Sequence, residues 1–377
     1  MTSRRILDAA LAGCTIVVAA DRRAGDLASA LERRGAQVYR APAMSIYPNV
    51  DDEKLLGRTR ELIADPPDIV IVTTGVGFRA WMDAAHENDL AEELSDALRT
   101  TEFVARGPKA HGAIQQAGFV ADWVAESETS AEVLEYLRAT TLQGKRVAVQ
   151  HHGAGSDGLD EALSSAGASV VSLIVYRWGP PLEPHLVERS VAQAATGEID
   201  AVLFTSAPGA AAWIQTAERA GALEVLRRRA GLGRLLFAAV GPITALPLRE
   251  ARLATTVAER GRMGSLARCV IKYFGVDGSV PSLLTKEGEM SMRSGGVVMA
   301  GEFTPLSRAG VSLLGALFDA AGGVLSREEI AQHLPGRGQN AHAVEMAVAR
   351  VREALGSRDV VSTVVKRGYR LAVDSAV

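Results

Sequence analysis

The sequence predicts an α/β protein with two similar domains, each built on a doubly wound parallel sheet, and a small helical domain at the carboxyl end. Three observations lead to this fold class. The first 276 residues contain an internal repeat, buried strands alternate with helices inside each repeat, and the pattern changes after residue 296. A chain of 377 residues is also too long to fold around one core.

The repeat is clearest where a buried strand leads into a turn and a helix. Each copy has an acid, an apolar strand, two hydroxyl side chains, a glycine-containing turn and a helix with tryptophan thirteen residues after the acid. Two further pairs of segments recur in the same order at nearly one offset, which indicates duplication rather than chance. The three pairs are 68–85 with 200–217, 103–118 with 236–251, and 19–42 with 151–178.

Polar turns follow the strands of each repeat. Parallel strands end together at one edge of a sheet, and ligands of such folds bind at that edge. Each turn also leads into a helix N-terminus, whose N–H groups and dipole favour a carboxylate or phosphate. The alternative, that these residues only cap their helices, stays open for any single turn. The candidate ligand-binding residues are Thr73, Thr74, Gly75, Gly107, Thr205, Ser206 and Gly241.

Two other motifs have features of ligand sites. GAGSDG (153–158) fits the G-x-G-x-x-G pattern after a strand, but the next strand lacks the acid that a dinucleotide site needs. His151 and His152 are adjacent at a strand end and point in opposite directions, so they cannot easily bind one metal ion. We expect His151 to face a ligand, and we predict no metal site.

An ordered set of segments resembles uroporphyrinogen-III synthase over about residues 10–276. The matching segments are TIVVAADRRAGDLASALERRGAQVYRAP, IVTTGVGFRAW, ARGPKAHGAI, VLFTSAPGAAAWI and AAVGPITAL. The resemblance implies two α/β domains joined by a two-strand ladder, the first formed by 1–41 and 180–275 and the second by 42–179. It also implies a cleft that holds a tetrapyrrole by its carboxylates, largely through backbone amides.

The enzymes of this family cyclise hydroxymethylbilane, as hydro-lyases, without a metal or organic cofactor. By position, Tyr176 matches the family's cleft tyrosine, which is thought to assist loss of the substrate hydroxyl. By position, Thr73, Thr74, Thr205 and Ser206 match the family's carboxylate-binding turns, and Gly107 and Gly241 match their neighbours. The cleft turns depart from the family pattern, since Gly75-Val76-Gly77 stands where Asn-Gly is usual and Ala110 replaces a frequent Thr.

The carboxyl end has a different composition. Residues 276–296 are rich in Gly and Ser without a sustained period, which predicts a linker. Beyond it, Pro305 suits a helix start, and Ser326 with Glu329 forms a capping box for a second helix. A third helix and a β-hairpin follow, and residues 337–370 carry seven Lys or Arg against three Asp or Glu.

This order of helices and hairpin resembles the winged-helix DNA-binding domain of OmpR/PhoB-type regulators, here assigned to 297–377. The resemblance implies that the third helix enters the major groove and that the hairpin, or wing, reaches the minor groove or its phosphates. Gln339 and Glu345 are further candidates for contacts with base edges. Arg350 and Arg352 lie about 200° apart on the helix, so only one of the two can face straight outward. The candidate DNA contacts are Arg350, Arg352, Lys366, Arg367, Asn340 and His342.

The composition of the chain indicates where in the cell the protein is located and which partners it binds. Cys14 and Cys269 lie far apart, which fits a reducing cytoplasm. No apolar run reaches the ~18 residues of a membrane span. The N-terminal run imitates a signal peptide, but its pattern favours a first buried strand. We therefore expect a cytoplasmic protein whose partners are double-stranded DNA and a small polyanionic, tetrapyrrole-like ligand, and a homodimer is compatible with DNA binding.

Two functions remain open from the sequence. The preferred one is a transcription regulator whose synthase-like part senses a small molecule, because a DNA-binding domain has little use on a purely metabolic enzyme. The alternative is a working uroporphyrinogen-III synthase that carries a DNA-binding module. The two-part layout resembles actinobacterial regulators of nitrate and nitrite assimilation.

Overall fold

A computed structural model describes residues 9–20, 24–48, 53–151, 158–275, 278–336 and 340–374. The chain forms two compact units: the first combines Met1–Met44 with Pro180–Val377, and the second is Ser45–Gly179. Most of the GAGSDG motif, His152 and Gln339 lie outside the described residues. No described helix is both long enough and apolar enough to cross a membrane.

Strands and helices alternate through both units, as the sequence predicts. The first unit begins with β1 (Thr15–Val18), α1 (Ala24–Glu32) and β2 (Gln37–Arg40). The second unit contains β3 (Ser45–Pro48), α2 (Glu53–Ala64), β4 (Ile69–Val72), α3 (Gly75–Glu87), α4 (Ala91–Ala97), β5 (Glu102–Ala105), α5 (Pro108–Gln116), β6 (Trp123–Val124), α6 (Ser130–Arg138), β7 (Arg146–His151), α7 (Leu159–Ser165), β8 (Ser169–Ile174) and β9 (Tyr176–Gly179). The first unit resumes with α8 (Pro184–Thr196), β10 (Ala201–Phe204), α9 (Ala207–Arg219), α10 (Leu223–Gly231), β11 (Leu236–Ala239), α11 (Pro242–Glu250), β12 (Thr255–Val257) and α12 (Met263–Phe274).

The remaining elements form the C-terminal domain, which belongs to the first unit. They are β13 (Ser282–Thr285), β14 (Gly288–Arg293), β15 (Gly296–Met299), β16 (Glu302–Pro305), α13 (Arg308–Asp319), α14 (Arg327–His333), α15 (Ala341–Leu355), β17 (Val361–Val364) and β18 (Gly368–Leu371).

The two five-stranded sheets have the same plan. The first sheet has the order β12-β11-β10-β1-β2 and the second β6-β5-β4-β7-β8, with every neighbour parallel. β10 therefore corresponds to β4, and β1 to β7. Both β4 and β10 are fully buried apolar runs, as a sheet covered by helices on both faces requires. The predicted doubly wound α/β fold is confirmed.

The repeated tryptophans make the same hydrogen bond in both sheets. Trp81 on α3 donates from Nε1 to Thr59 Oγ1 on α2 at 3.0 Å, and Trp213 on α9 donates to Ser190 Oγ on α8 at 2.9 Å. All four side chains are buried. A buried indole N–H without an acceptor costs about 1–3 kcal/mol, so the hydroxyl on the neighbouring helix is part of the repeat.

The acid that opens each repeat caps the start of the neighbouring central strand. In the second unit, Asp68 accepts from the backbone N–H of Arg146 at 2.8 Å and from Lys145 Nζ at 2.8 Å. In the first unit, Asp200 accepts from the N–H of Thr15 at 2.7 Å, and its second partner is Ser294 of the C-terminal domain. The C-terminal domain thus reaches the amino-terminal edge of the first sheet.

The structure differs from the expected linker. Residues 282–305 form a four-stranded antiparallel sheet in sequential order, so the expected domain boundary at residue 297 falls inside β15. Met290 and Val297 are fully buried and share one core with α13, α14 and α15. The strands are only four to six residues long, and Gly and Ser are frequent in and between them. The composition of the segment therefore resembles that of a linker, although its residues form strands.

The three predicted helices of this domain are present. The capping box of Ser326 and Glu329 is formed at the start of α14. Pro305, however, ends β16, and α13 begins at Arg308 with the Ser307 hydroxyl accepting from the Gly310 N–H. A serine cap supplies the acceptor that a helix N-terminus needs, which a proline cannot do.

Candidate functional site

At the carboxyl edge of the second sheet, a buried glutamine ties the two central strands together. Thr73 Oγ1 donates to the carbonyl of Gln150 at 2.7 Å, and the Thr74 N–H donates to Gln150 Oε1 at 3.2 Å. Thr74 also caps α3, its hydroxyl accepting from the Gly77 N–H at 3.1 Å. Sequence analysis missed Gln150, whose only signal was a polar residue near the end of an otherwise apolar strand.

Two helix N-termini lie close together at this edge. A Cβ on Gly75 would lie 2.1 Å from the carbonyl oxygen of Lys109, so only glycine allows the start of α3 to approach α5. Gly107 precedes Pro108 at the start of α5 and makes no side-chain cap. The first turns of both helices therefore direct N–H groups toward one region, which is the arrangement that binds carboxylates and phosphates.

The first sheet repeats this arrangement. Ser206 caps α9, its hydroxyl accepting from the Gly209 N–H at 3.2 Å, and its backbone is extended like that of Thr74. Thr205 precedes it and is partly exposed. Gly241 begins α11 without a side-chain cap. The capping role of Thr74 and Ser206 is thus confirmed, and it leaves the other N–H groups of these first turns available for a ligand.

Cations that sequence analysis did not single out lie at the same edges. Arg260 and Arg262 are exposed between β12 and α12, and Arg262 is the residue at which α12 begins. Lys109 is exposed in the first turn of α5. The signal in the sequence was a basic residue within five positions after a strand of a parallel sheet. These side chains add positive charge where the helix dipoles already favour an anion.

The structure corrects the role expected for His151. Its side chain is 2 % exposed, and Nε2 lies 3.0 Å from Asp160 Oδ2. Burial opposes ionisation of Asp160, but hydrogen bonds from His151 and Ser172 outweigh it and hold the pKa of Asp160 below its ordinary value. The ring braces β7 against α7 inside the second unit and is not presented to a ligand. Among the described residues, no group of three or more His, Cys, Asp or Glu could hold a metal ion.

The third helix of the C-terminal domain has one buried and one exposed face. Val344, Ala347, Val348 and Val351 of α15 enter the core. The opposite face is exposed and lies within a sector of about 140° at 100° per residue. Its members are His342, Glu345, Met346, Ala349, Arg350 and Glu353.

The wing presents its two cations at the tip. Val365, Lys366 and Arg367 connect β17 to β18, and all three are exposed. Gly368 has a φ of +132°, and a Cβ there would lie 2.0 Å from the carbonyl oxygen of Leu325, so this position requires glycine. The hairpin is thereby held against the start of α14, with its charged tip directed away from the core.

Two of the expected DNA contacts have structural partners. Arg352 lies at the flank of α15 and donates to the carbonyl of Val361 at 2.6 and 3.0 Å and to Thr363 Oγ1 at 2.8 Å. Asn340 is the N-cap of α15, with Oδ1 accepting from the Ala343 N–H at 2.8 Å. Arg352 therefore braces the wing and Asn340 fixes the helix start, whereas Arg350 faces outward.

Comparison with known proteins decides the family. The family model of uroporphyrinogen-III synthase HemD matches residues 25–268, well over half of the chain. The chain belongs to this family. A second model, described as the C-terminal domain of transcriptional regulatory proteins, matches residues 301–371. The C-terminal domain is thus of the OmpR/PhoB type, which implies binding of double-stranded DNA.

Relatives of the chain match the synthase-like part. YjjA of Bacillus subtilis, an uncharacterized protein, is 29 % identical over 266 residues, which cover 70 % of this chain and 97 % of that protein. A protein of Methanothermobacter thermautotrophicus provisionally named uroporphyrinogen-III synthase is 26 % identical, over 68 % of this chain and 96 % of its own. The crystal structure of a mutant uroporphyrinogen III synthase of Thermus thermophilus is 27 % identical, with a TM-score of 0.54 over 68 % of this chain and 96 % of that one.

The family's cleft tyrosine is enclosed in this member. Tyr176 opens β9, which pairs antiparallel with β3 in the two-strand ladder that the resemblance implies. Its side chain is 4 % exposed and packs in the apolar core of the second unit. The ring is therefore part of that core, and its expected role at a ligand stays a prediction.

Proposed function

We propose that the protein is a DNA-binding transcription regulator whose HemD-like region senses a small polyanionic ligand. The observation that carries this proposal is the direction in which the C-terminal domain docks. Among the described residues, its contacts with the first sheet and the helices around that sheet come from α13 and from the four-stranded sheet β13–β16, and they include Arg308, Asp319 and Ser294. Within the same described part of the chain, the exposed face of α15 and the wing tip make no such contact.

The DNA-binding surface is therefore open while the domain is docked. Arg350 on α15 and Lys366 and Arg367 on the wing are exposed. A helix in the major groove with a cationic hairpin beside it needs both surfaces at once. Each phosphate that a wing cation neutralises should steepen the salt dependence of binding by about one log unit per log unit of salt.

The ligand side of the proposal rests on the carboxyl edges of the two sheets. Each edge has two helix N-termini, a hydroxyl cap on one of them, and nearby cations. Such groups bind several carboxylates without an essential side chain, which suits a tetrapyrrole-like polyanion. The enclosed Tyr176 favours sensing over catalysis, since the family's tyrosine would have to reach the reacting group.

The test of DNA binding is selection of duplexes from a random library by the purified full-length protein, followed by affinity measurements at several salt concentrations. A selected sequence that binds at least a hundredfold more tightly than random duplex supports the regulator. Equal affinity for all duplexes contradicts it. The resemblance to nitrate and nitrite assimilation regulators predicts that selected sequences lie upstream of such genes.

Retained synthase activity is the second candidate, because the family model matches residues 25–268, which include most of both five-stranded sheets and their helices. Incubation of the protein with hydroxymethylbilane distinguishes a ligand sensor from an active synthase. Formation of the type III ring would assign catalysis, whereas accumulation of the type I ring alone, as occurs without enzyme, leaves a sensor. Binding of hydroxymethylbilane that shifts the affinity for the selected duplex would connect the two parts.

A further inference from the structure

The junction between the first sheet and the C-terminal domain is formed by specific polar contacts. Asp200 accepts from the Ser294 N–H at 2.9 Å, and the Gly295 N–H donates to the carbonyl of Gly13 at 2.9 Å. Asp200 is buried between the two sides. A buried carboxylate persists only where hydrogen bonds satisfy it, so this contact defines one docked position.

Two ion pairs join the same two parts of the first unit. Arg308 of α13 pairs with Glu198 at the end of α8, and Asp319 of α13 pairs with Arg234 before β11. The Arg234 guanidinium also lies 4.1 Å above the ring of Phe318. Each side contributes one cation and one anion, so a wrong rotation of the domain would bring like charges together.

A cavity of about 450 Å³ lies within this junction. That volume is within the range of small-molecule sites. Its walls come from the end of α8, from α10 and from the loop before β11 on one side, and from α13 and β14 on the other. The charged side chains in the wall are four arginines and three acids: Arg229, Arg234, Arg293, Arg308, Glu198, Asp200 and Asp319.

Two of these arginines are incompletely satisfied. Arg293 is 3 % exposed, and although both its Nη atoms donate to nearby oxygens, its Nε has no hydrogen-bond partner. Arg229 donates from Nη2 to the carbonyl of Arg234 at 3.2 Å, and its Nε also has no partner. No carboxylate of the described residues pairs with Arg229, in contrast to Arg234 and Arg308.

The electrostatic balance of the cavity favours an anion. Burial lowers the pKa of the Arg229 guanidinium from its ordinary value; the nearby carboxylates of Asp200 and Asp319 oppose this shift, and Arg234 and Arg228 add to it. Burial raises the pKa of Asp200, although hydrogen bonds from Ser294 and Thr15 oppose this. A bound anion would supply the directly hydrogen-bonded counter-charge that no carboxylate of the described residues gives to Arg229.

We propose that this cavity is a second ligand site, which binds a small anion bearing phosphate or carboxylate groups through Arg229. The site lies at the amino-terminal ends of the first sheet's strands, away from the carboxyl edges of the proposed sensor. A planar guanidinium fork matches the oxygens of phosphate and carboxylate groups. Because both parts of the junction form the walls, an occupant holds the DNA-binding domain to the first sheet.

The test uses the full-length protein with inorganic phosphate and with citrate as probes, each compared with sodium chloride at the same ionic strength. We expect at least one probe to raise the thermal midpoint in a saturable way and to give a calorimetric binding isotherm. Arg229→Gln should weaken that binding at least tenfold, since a charge-assisted fork is removed. Arg228→Gln is the matched control, because Arg228 is the exposed neighbour on the same helix, and it should bind the probe like the wild type.

The outcomes against the proposal are equally defined. If neither probe exceeds the chloride effect, or if Arg229→Gln binds as tightly as the wild type, the cavity is not an anion site. Should Arg229→Gln fail to fold by circular dichroism, Arg229→Lys keeps the charge without the fork, and an undiminished affinity in that variant would exclude binding through the Arg229 fork. DNA binding by Arg229→Gln is expected to be normal, so failure here is distinct from failure of the proposed regulator.

Discussion

The buried carboxylate of Asp200 accepts the backbone N–H of Ser294 at 2.9 Å, and this bond joins the DNA-binding domain to a central strand of the first sheet. In the other copy of the repeat, Asp68 uses the ammonium group of Lys145 instead, at 2.8 Å. The acid that opens each repeat thus has a different partner in each copy, Lys145 for Asp68 and Ser294 for Asp200. The same strand, β10, runs from Asp200 to the Thr205 turn, so one element connects the docked domain with a candidate ligand edge.

The two acids should differ strongly in their effect on stability. Asp200→Asn replaces one accepting oxygen by an NH2 group that faces N–H donors inside a closed site, so we expect a loss of about 2–4 kcal/mol. Asp68→Asn removes a partly exposed pair with Lys145 and should cost about 1 kcal/mol or less. Urea unfolding of both variants measures the difference. Equal losses would contradict the view that Ser294 docking depends on Asp200.

The wing tip should act on DNA through charge alone. Lys366→Ala combined with Arg367→Ala is expected to weaken binding to every duplex and to reduce the slope of log affinity against log salt by about two. The control is Arg228→Ala with Arg249→Ala, which removes two exposed cations elsewhere in the first unit. A slope that stays unchanged in the wing variant, measured by fluorescence anisotropy, would exclude phosphate contacts at the tip.

Arg350 and Arg352 should separate into a DNA contact and a structural brace. Arg350→Ala removes an exposed cation and is expected to weaken DNA binding about tenfold without changing the thermal midpoint. Arg352→Ala leaves the Val361 carbonyl without its donor and should cost about 1–3 kcal/mol of stability. Thermal unfolding and duplex affinity, measured on both variants, test this division, and a normal midpoint for Arg352→Ala would argue against the brace.

The His151 and Asp160 pair predicts a pH dependence of stability. Because the pKa of Asp160 lies below its ordinary value of 3.8 in the folded chain, the native state holds fewer protons on this group than the unfolded state. The stabilisation is therefore complete above about pH 5 and is lost as the pH falls through the folded pKa. Denaturant unfolding should show that the advantage of the wild type over Asp160→Asn is present at pH 5 and shrinks below pH 4. A constant difference down to pH 3 would contradict the lowered pKa.

Much of the fold could be predicted because local patterns set it. The spacing from Asp68 to Trp81 recurs from Asp200 to Trp213, and both copies form the same strand, turn and helix. The capping box at Ser326 is a local hydrogen-bond pattern and could be predicted from four residues. The segment 282–305 could not, since its strands are stabilised by pairing with each other and by burial of Met290 and Val297 under helices far along the chain.

Individual site residues were harder to assign than elements. The imidazole of His151 could bind a ligand, and only the packing of α7 against β7 shows that it is hydrogen-bonded to Asp160 instead. Arg352 is a cation on a basic helix, and only the position of β17 turns it toward Val361. The sequence by itself determined the duplicated α/β pattern, the winged C-terminal domain and the exposed cations of the wing, because these follow from periodicity and from charges close together in the chain. Tertiary structure alone decided which polar groups already have a hydrogen-bond partner within the protein and where the DNA-binding domain docks. Those contacts join residues as far apart as Asp200 and Ser294, and their strength depends on burial that no local pattern encodes.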